Sequence, residues 1–178
     1  RSVVNPSQIR KVIEAMKTAI ETRIYPTRKE TPKTLIFAKT DSHADDIIQI
    51  VREVYGQGNA FCRKVTYAEK EADSVLAGFR NDYHPRIAVT VDMIATGTDV
   101  KPLEVLLFMR DVRSRGYYEQ MKGRGVRSLD ADGLQRVSAS ADGAKTRFVL
   151  NDEASQQEII VTDSRPLEKK PDLPLKDL

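Results

Sequence analysis

Apolar and polar residues along this chain recur at two distinct periods, and the change from one to the other marks the elements. In "NPSQIRKVIEAMKTAIETRIYP", Ile9, Val12, Ile13, Met16 and Ile20 recur at helical steps, which gathers them on one stripe of a helix. Asn5 is placed to cap that helix, Pro6 suits its first residue because the missing N–H would have no partner there, and Pro26 stops it. After the polar linker "TRKETPK" the helical period disappears, and "TLIFAK" is a short apolar run suited to a buried strand. "TDSHADDIIQIVREVYGQG" then returns to helical spacing between capping residues and closing glycines. The exchange continues with "AFCRKVT" as a strand, "AEKEADSVLAGFRN" as a helix and "RIAVTVD" as a strand rich in β-branched residues. A short helical turn near "MIATG", a strand in "LEVLLFM" and a helix following Ser114 complete the regular part.

Strands alternating with helices at this pitch predict an α/β fold with a mainly parallel sheet covered on both faces. Beyond Arg127 the pattern weakens: "SLDADGLQRVSASADGAKT" carries turn residues without sustained periodicity, and "RFVL" adds one more strand. From Asp163, "DSRPLEKKPDLPLKDL" is rich in proline and charge and reads as extended, or docked onto something else. The expected organisation is an N-terminal amphipathic helix and linker over 1–32, a central α/β unit over 33–150 and a tail over 151–178.

Composition narrows the class. At 178 residues, 40% hydrophobic and 31% charged, the chain is globular, with no apolar run near the roughly 20 residues that cross a bilayer. The lone Cys62 has no partner for a disulfide, so a reducing, cytoplasmic setting is expected. His43 and His84 lie far apart with no ligand spacing around them, so no metal site is expected; His43 reads as a surface residue at a helix start and His84 as a turn residue before Pro85. A chain that begins at Arg1 without an initiator methionine reads as a segment of a longer polypeptide.

Charge is distributed unevenly. The whole chain carries a net +3, whereas residues 110–127 hold six basic side chains, Arg110, Arg113, Arg115, Lys122, Arg124 and Arg127, against Asp111 and Glu119. A basic cluster of this kind suits a phosphate partner or a solvated face. Within it, "YYEQMKGRGVR" reads as a helix although each interior glycine costs about 1 kcal/mol relative to alanine. Gln120, Gly123, Arg124 and Arg127 fall at i, i+3, i+4 and i+7, on one helical face. Two guanidiniums aimed the same way are best tolerated with an anion between them, and a phosphoryl group gathering charge in transfer is such an anion. Parallel α/β sheets bind ligands at the carboxyl ends of their strands, where "VTVDMIATGTDV" places Gly97 and Asp99. That Gly-x-Asp is readable as an ordinary turn with an Asx cap or as a contact to ribose hydroxyls.

Taken together, "QMKGRGVR" resembles the Gln-x-x-Gly-Arg-x-x-Arg motif VI of superfamily-two helicases, "ATGTD" their motif V and "TLIFAKTDSHADDI" their motif IV, in the family's order. "FAKTDSHADDI", "VTVDMIATGTDVKPLEVLLFMRDVRS" and "YYEQMKGRGVR" are similar to the motor of the R subunit of type I restriction enzymes. The resemblance implies the second RecA-like lobe of a two-lobed motor, a three-layer sandwich that closes on ATP and Mg²⁺ held mainly by the first lobe. It implies arginine fingers at Arg124 and Arg127, γ-phosphate or water ordering by Gln120, close approach at Gly123, ribose contacts at Gly97 and Asp99, and packing support for the arginines from Phe37, which reads equally as plain core. It also implies double-stranded DNA, the first lobe, and the modification and specificity subunits as partners. Lys39, Thr40 and Thr90 are its candidate DNA-backbone contacts, although Val91 stands before Asp92 where the RNA-helicase motif V has threonine. No phosphate loop occurs; "DGAKT" around Lys145 lacks the glycine before lysine. "EKK" at Glu168 to Lys170 lacks the spacing and the core strand of a nuclease motif. The competing readings are a lobe of another DNA or RNA helicase, a free-standing nucleic-acid-binding domain and, more remotely, a Rossmann-type enzyme, which the missing G-x-G-x-x-G disfavours.

Overall fold

A computed structural model describes residues 5–66, 70–91, 100–110, 129–143, 145, 147–152 and 157–162. The order is α1 (Pro6–Ala19), a π-helical turn (Ile20–Ile24), β1 (Thr34–Phe37), α2 (Asp41–Tyr55), β2 (Cys62–Lys64), α3 (Ala72–Asn81), β3 (Ile87–Thr90), β4 (Val105–Phe108), α4 (Ala131–Gln135), β5 (Arg147–Asp152) and β6 (Gln157–Thr162). The strands form one sheet in the order β2-β3-β1-β4-β5-β6. All neighbours pair in parallel except β5 with β6, which are antiparallel.

Helix boundaries follow from end chemistry. The Asn5 side chain accepts the Ser7 N–H at 3.0 Å ahead of Pro6, and Thr40 accepts the His43 N–H at 3.1 Å at the start of α2. Gly56 closes α2 at φ 59°, the left-handed conformation that a side chain disfavours, and its N–H turns back to Arg52 and Glu53 carbonyls. α1 runs into the π-helical turn and ends just before Pro26, as its sequence predicts.

The sheet separates two apolar layers because successive strand residues point to opposite faces. Ile36, Ile87, Val89, Val105 and Leu107 pack with Ile9, Ile13, Met16, Ile47 and Val51 of α1 and α2. Phe37, Ala88, Leu106 and Phe108 pack on the other side with Val75, Leu76 and Phe79 of α3. This is the α/β/α arrangement expected from the sequence. Burial on both faces explains why β1, β3 and β4 read as continuous apolar runs.

Three details depart from or extend the sequence reading. The segment over 129–143, expected to be irregular, contains α4, capped by the Asp130 side chain accepting the Gly133 N–H at 2.7 Å. The sheet continues past residue 150, through Asp152 of β5 and across β6 to Thr162, where no second strand was expected. His43, expected at the surface, is only 3% exposed. The helical turn near "MIATG", the helix after Ser114 and the tail from Asp163 lie outside the described residues.

Candidate functional site at the carboxyl edge of the sheet

Because β2, β3, β1 and β4 are parallel, their carboxyl ends share one edge, and the chain leaves each strand there. Backbone bonds tie the exits together: the Val65 N–H donates to Val89 O at 2.8 Å, Ala38 N–H to Thr90 O at 2.8 Å, and Met109 N–H to Phe37 O at 2.9 Å. Across this edge the Arg110 guanidinium donates to Val91 O at 2.8 Å. Val91 precedes 92–99 and Arg110 precedes 111–128, so the two motif-bearing segments depart from points that are in direct contact. Gly97, Asp99, Gln120, Gly123, Arg124 and Arg127 themselves lie outside the described residues.

Of the candidate DNA contacts, two are exposed on this edge. Lys39 and Thr40 stand between β1 and α2 and both face solvent. The Thr40 hydroxyl is engaged as the α2 cap and lies 3.2 Å from Ser42 Oγ. Thr90 differs from expectation: it is 0% exposed, with no hydrogen-bond partner for its hydroxyl among the described residues. In register with Phe37, it belongs to the α3 side of the sheet. Phe37 is 2% exposed and stacks on Phe108, with centroids 5.2 Å apart and planes 16° from parallel. The stacked pair joins the ends of β1 and β4, two residues before Lys39 and Arg110.

The opposite edge holds a polar cluster that sequence reasoning missed. Lys33 and Arg86, immediately before β1 and β3, are both 0% exposed. Lys33 Nζ donates to the carbonyls of Asp82 (2.7 Å), Tyr83 (3.0 Å) and Pro85 (2.6 Å). Arg86 donates to Thr31 O at 2.8 Å, Tyr83 O at 3.0 Å, Ser138 Oγ at 2.7 Å and the Val137 carbonyl. Burial, followed by the neighbouring Arg86 charge, pushes the Lys33 pKa down to about 7, and burial takes Arg86 down to about 10. Beside them Arg28 and Glu104 form a buried bidentate pair at 2.7 and 3.0 Å. Burial lowers the Arg28 pKa, but the Glu104 hydrogen bond and charge outweigh it and the net shift is upward. A perturbed lysine can mark a reactive site, yet this one spends its N–H donors on backbone carbonyls at the edge away from the strand exits. Its work is to anchor the 82–86 turn against β1 and β3. The available signal was a basic residue placed directly before each of two apolar strands.

Lys145, part of the phosphate-loop echo, donates from Nζ to Lys101 O at 3.0 Å and from its N–H to Leu129 O at 2.9 Å. Among the described residues no helix is long and apolar enough to cross a membrane.

A parallel sheet between two helical layers, with its chemistry-bearing segments leaving the carboxyl edge, is the architecture of a RecA-like lobe. The chain belongs to the family of helicase conserved C-terminal domains, whose profile matches residues 11–128. It is 35% identical over 127 residues to the type I restriction enzyme EcoKI endonuclease subunit of Escherichia coli strain K12. That similarity takes in 65% of this chain and 11% of the relative, so the chain spans a small part of that protein. Among solved structures it is similar to Mss116p DEAD-box helicase domain 2 bound to an RNA duplex, at TM-score 0.55 and 20% identity over 68% of this chain and 46% of that one. It is also similar to a fragment assigned as an HsdR subunit of a type I restriction enzyme from Vibrio vulnificus YJ016, at TM-score 0.53 and 19% identity over 89% of this chain and 36% of that one.

Proposed function

We propose that this chain is the second motor lobe of an ATP-dependent DNA translocase, within the R subunit of a type I restriction endonuclease. The observation that carries the reading is the contact of Arg110 with Val91 O, which brings together the points where the Gly97–Asp99 and Gln120–Arg127 segments leave the sheet. Membership of the helicase C-terminal family and the 35% identity to a restriction endonuclease subunit support it.

In this reading ATP with Mg²⁺ is held mainly by a first lobe of the same polypeptide. Arg124 and Arg127 reach the terminal phosphoryl group and stabilise the charge that develops on it, with Gln120 ordering the phosphate or its attacking water. Gly123 leaves room for close approach, and Gly97 and Asp99 meet the ribose. Lys39 and Thr40 hold the duplex by its phosphates, which positions the strand without reading its sequence. Closure on ATP and reopening after hydrolysis, coupled to a change in DNA grip, move the motor along the duplex. Modification and specificity subunits then supply site recognition, in the cytoplasm.

The reading is tested by comparing ATP turnover of this chain with that of the longer polypeptide carrying a first lobe. No turnover by the chain and DNA-stimulated turnover by the longer polypeptide are expected. Turnover by the chain alone would place a complete phosphate site here and overturn it.

A further inference from the structure

His43, the third residue of α2, is buried at 3% exposure although it stands beside the exposed Lys39 and Thr40. Its Nδ1 accepts the Lys39 backbone N–H at 3.0 Å, and its own backbone N–H donates to Thr40 Oγ1 at 3.1 Å. An imidazole that accepts through Nδ1 carries its proton on Nε2 when neutral. That Nε2 is buried with no hydrogen-bond partner among the described residues. An unmet buried donor is costly, and an aliphatic residue on the same stripe of α2 would avoid the cost. The return on it is the Nδ1 bond, which fixes the backbone of the turn between β1 and α2.

We propose that His43 is a positioning residue for the DNA contact of Lys39, holding the turn from which that side chain projects. The proposal rests on the reading of the carboxyl edge as a DNA-binding surface. Two charged groups face the imidazole: Lys39, which opposes its protonation, and Asp46, which favours it. Burial is the larger influence and keeps the ring neutral, so the acceptor persists at neutral pH. Protonation turns Nδ1 into a donor and breaks the bond to Lys39.

The test is duplex DNA binding by the longer polypeptide across a salt series, for wild type, Lys39→Ala, His43→Asn, His43→Gln and Lys39→Ala/His43→Gln. Asparagine places an oxygen near the Nδ1 position and glutamine places its amide further out. Losing the Lys39 contact lowers the slope of log affinity against log salt by about 1. Lys39→Ala and His43→Gln are each expected to show that loss, the double variant no more, and His43→Asn none. An unchanged slope in Lys39→Ala would remove the DNA reading of this edge itself. A loss in Lys39→Ala with His43→Asn and His43→Gln behaving alike would overturn the positioning role alone. Should His43→Gln fail to fold, wild type and His43→Asn are compared between neutral and acidic pH. Wild type is then expected to lose the contact in acid while the asparagine variant keeps it, and an equal response of the two overturns the proposal.

Discussion

The Phe37 ring lies stacked on Phe108, 5.2 Å between centroids, at the carboxyl ends of two paired parallel strands. The N–H of Met109, one residue past Phe108, bonds Phe37 O, and two residues past the rings stand Lys39 on one side and Arg110 on the other. Packing beneath the edge therefore sets the spacing of the groups above it. Phe37→Ala removes one ring of this pair from a fully buried layer and is expected to cost about 3–5 kcal/mol in a denaturant titration. Phe37→Leu, which refills most of the space, should cost clearly less, and equal costs would mean that stacking and volume play no part.

Arg28 and Glu104 make an opposite kind of contribution. Their side chains are 8% and 2% exposed, so removing one charge strands the other in a poor solvent. Glu104→Gln is expected to destabilise the fold by about 3–5 kcal/mol, whereas Arg28→Met/Glu104→Leu should recover most of that loss. A double variant no better than the single one would show that the pair does more than satisfy itself.

Stability should depend on pH with a definite sign. His43 is held below its ordinary 6.5 in the fold, so as pH falls past 6.5 the unfolded chain takes up the proton first and stability drops. Lys33, lowered from 10.5 to about 7, has the same sign in a higher window: stability rises between about 7 and 10.5. Urea titrations from pH 5 to 7 should show the acid-side fall in wild type and a flatter profile in His43→Asn. An identical profile in the two proteins would exclude His43 as its source.

Much of the fold was legible because the sheet is buried on both faces: β1, β3 and β4 had to be apolar without alternation, and the helices between them had to carry stripes and caps. β6, "QEIIVT", escaped because it pairs only with β5, as the antiparallel strand at the end of the sheet order, outside the strand–helix alternation that marks the parallel strands. α4 is only five residues long, too short for a period to show, and its one local signal was the Asp130 cap. His43 was misread from its polarity alone. Its spacing to Ile47 and Val51, i+4 and i+8, already put it on the buried stripe of α2. At the site, the parallel-sheet rule pointed to the edge where Arg110 meets Val91 O, while the side chains named by motif order, Gly97, Asp99, Gln120, Gly123, Arg124 and Arg127, lie outside the described residues. The Lys33–Arg86 cluster left no signal in any motif, since it serves the fold from the far edge.

The most direct measurement is steady-state ATP turnover by the longer polypeptide with Arg124→Ala, read beside its nucleotide affinity. If this lobe supplies the guanidinium that stabilises the transferring phosphoryl group, turnover should fall on the order of 10³-fold while ATP binding falls far less. Turnover at the wild-type level in that variant would contradict the assignment.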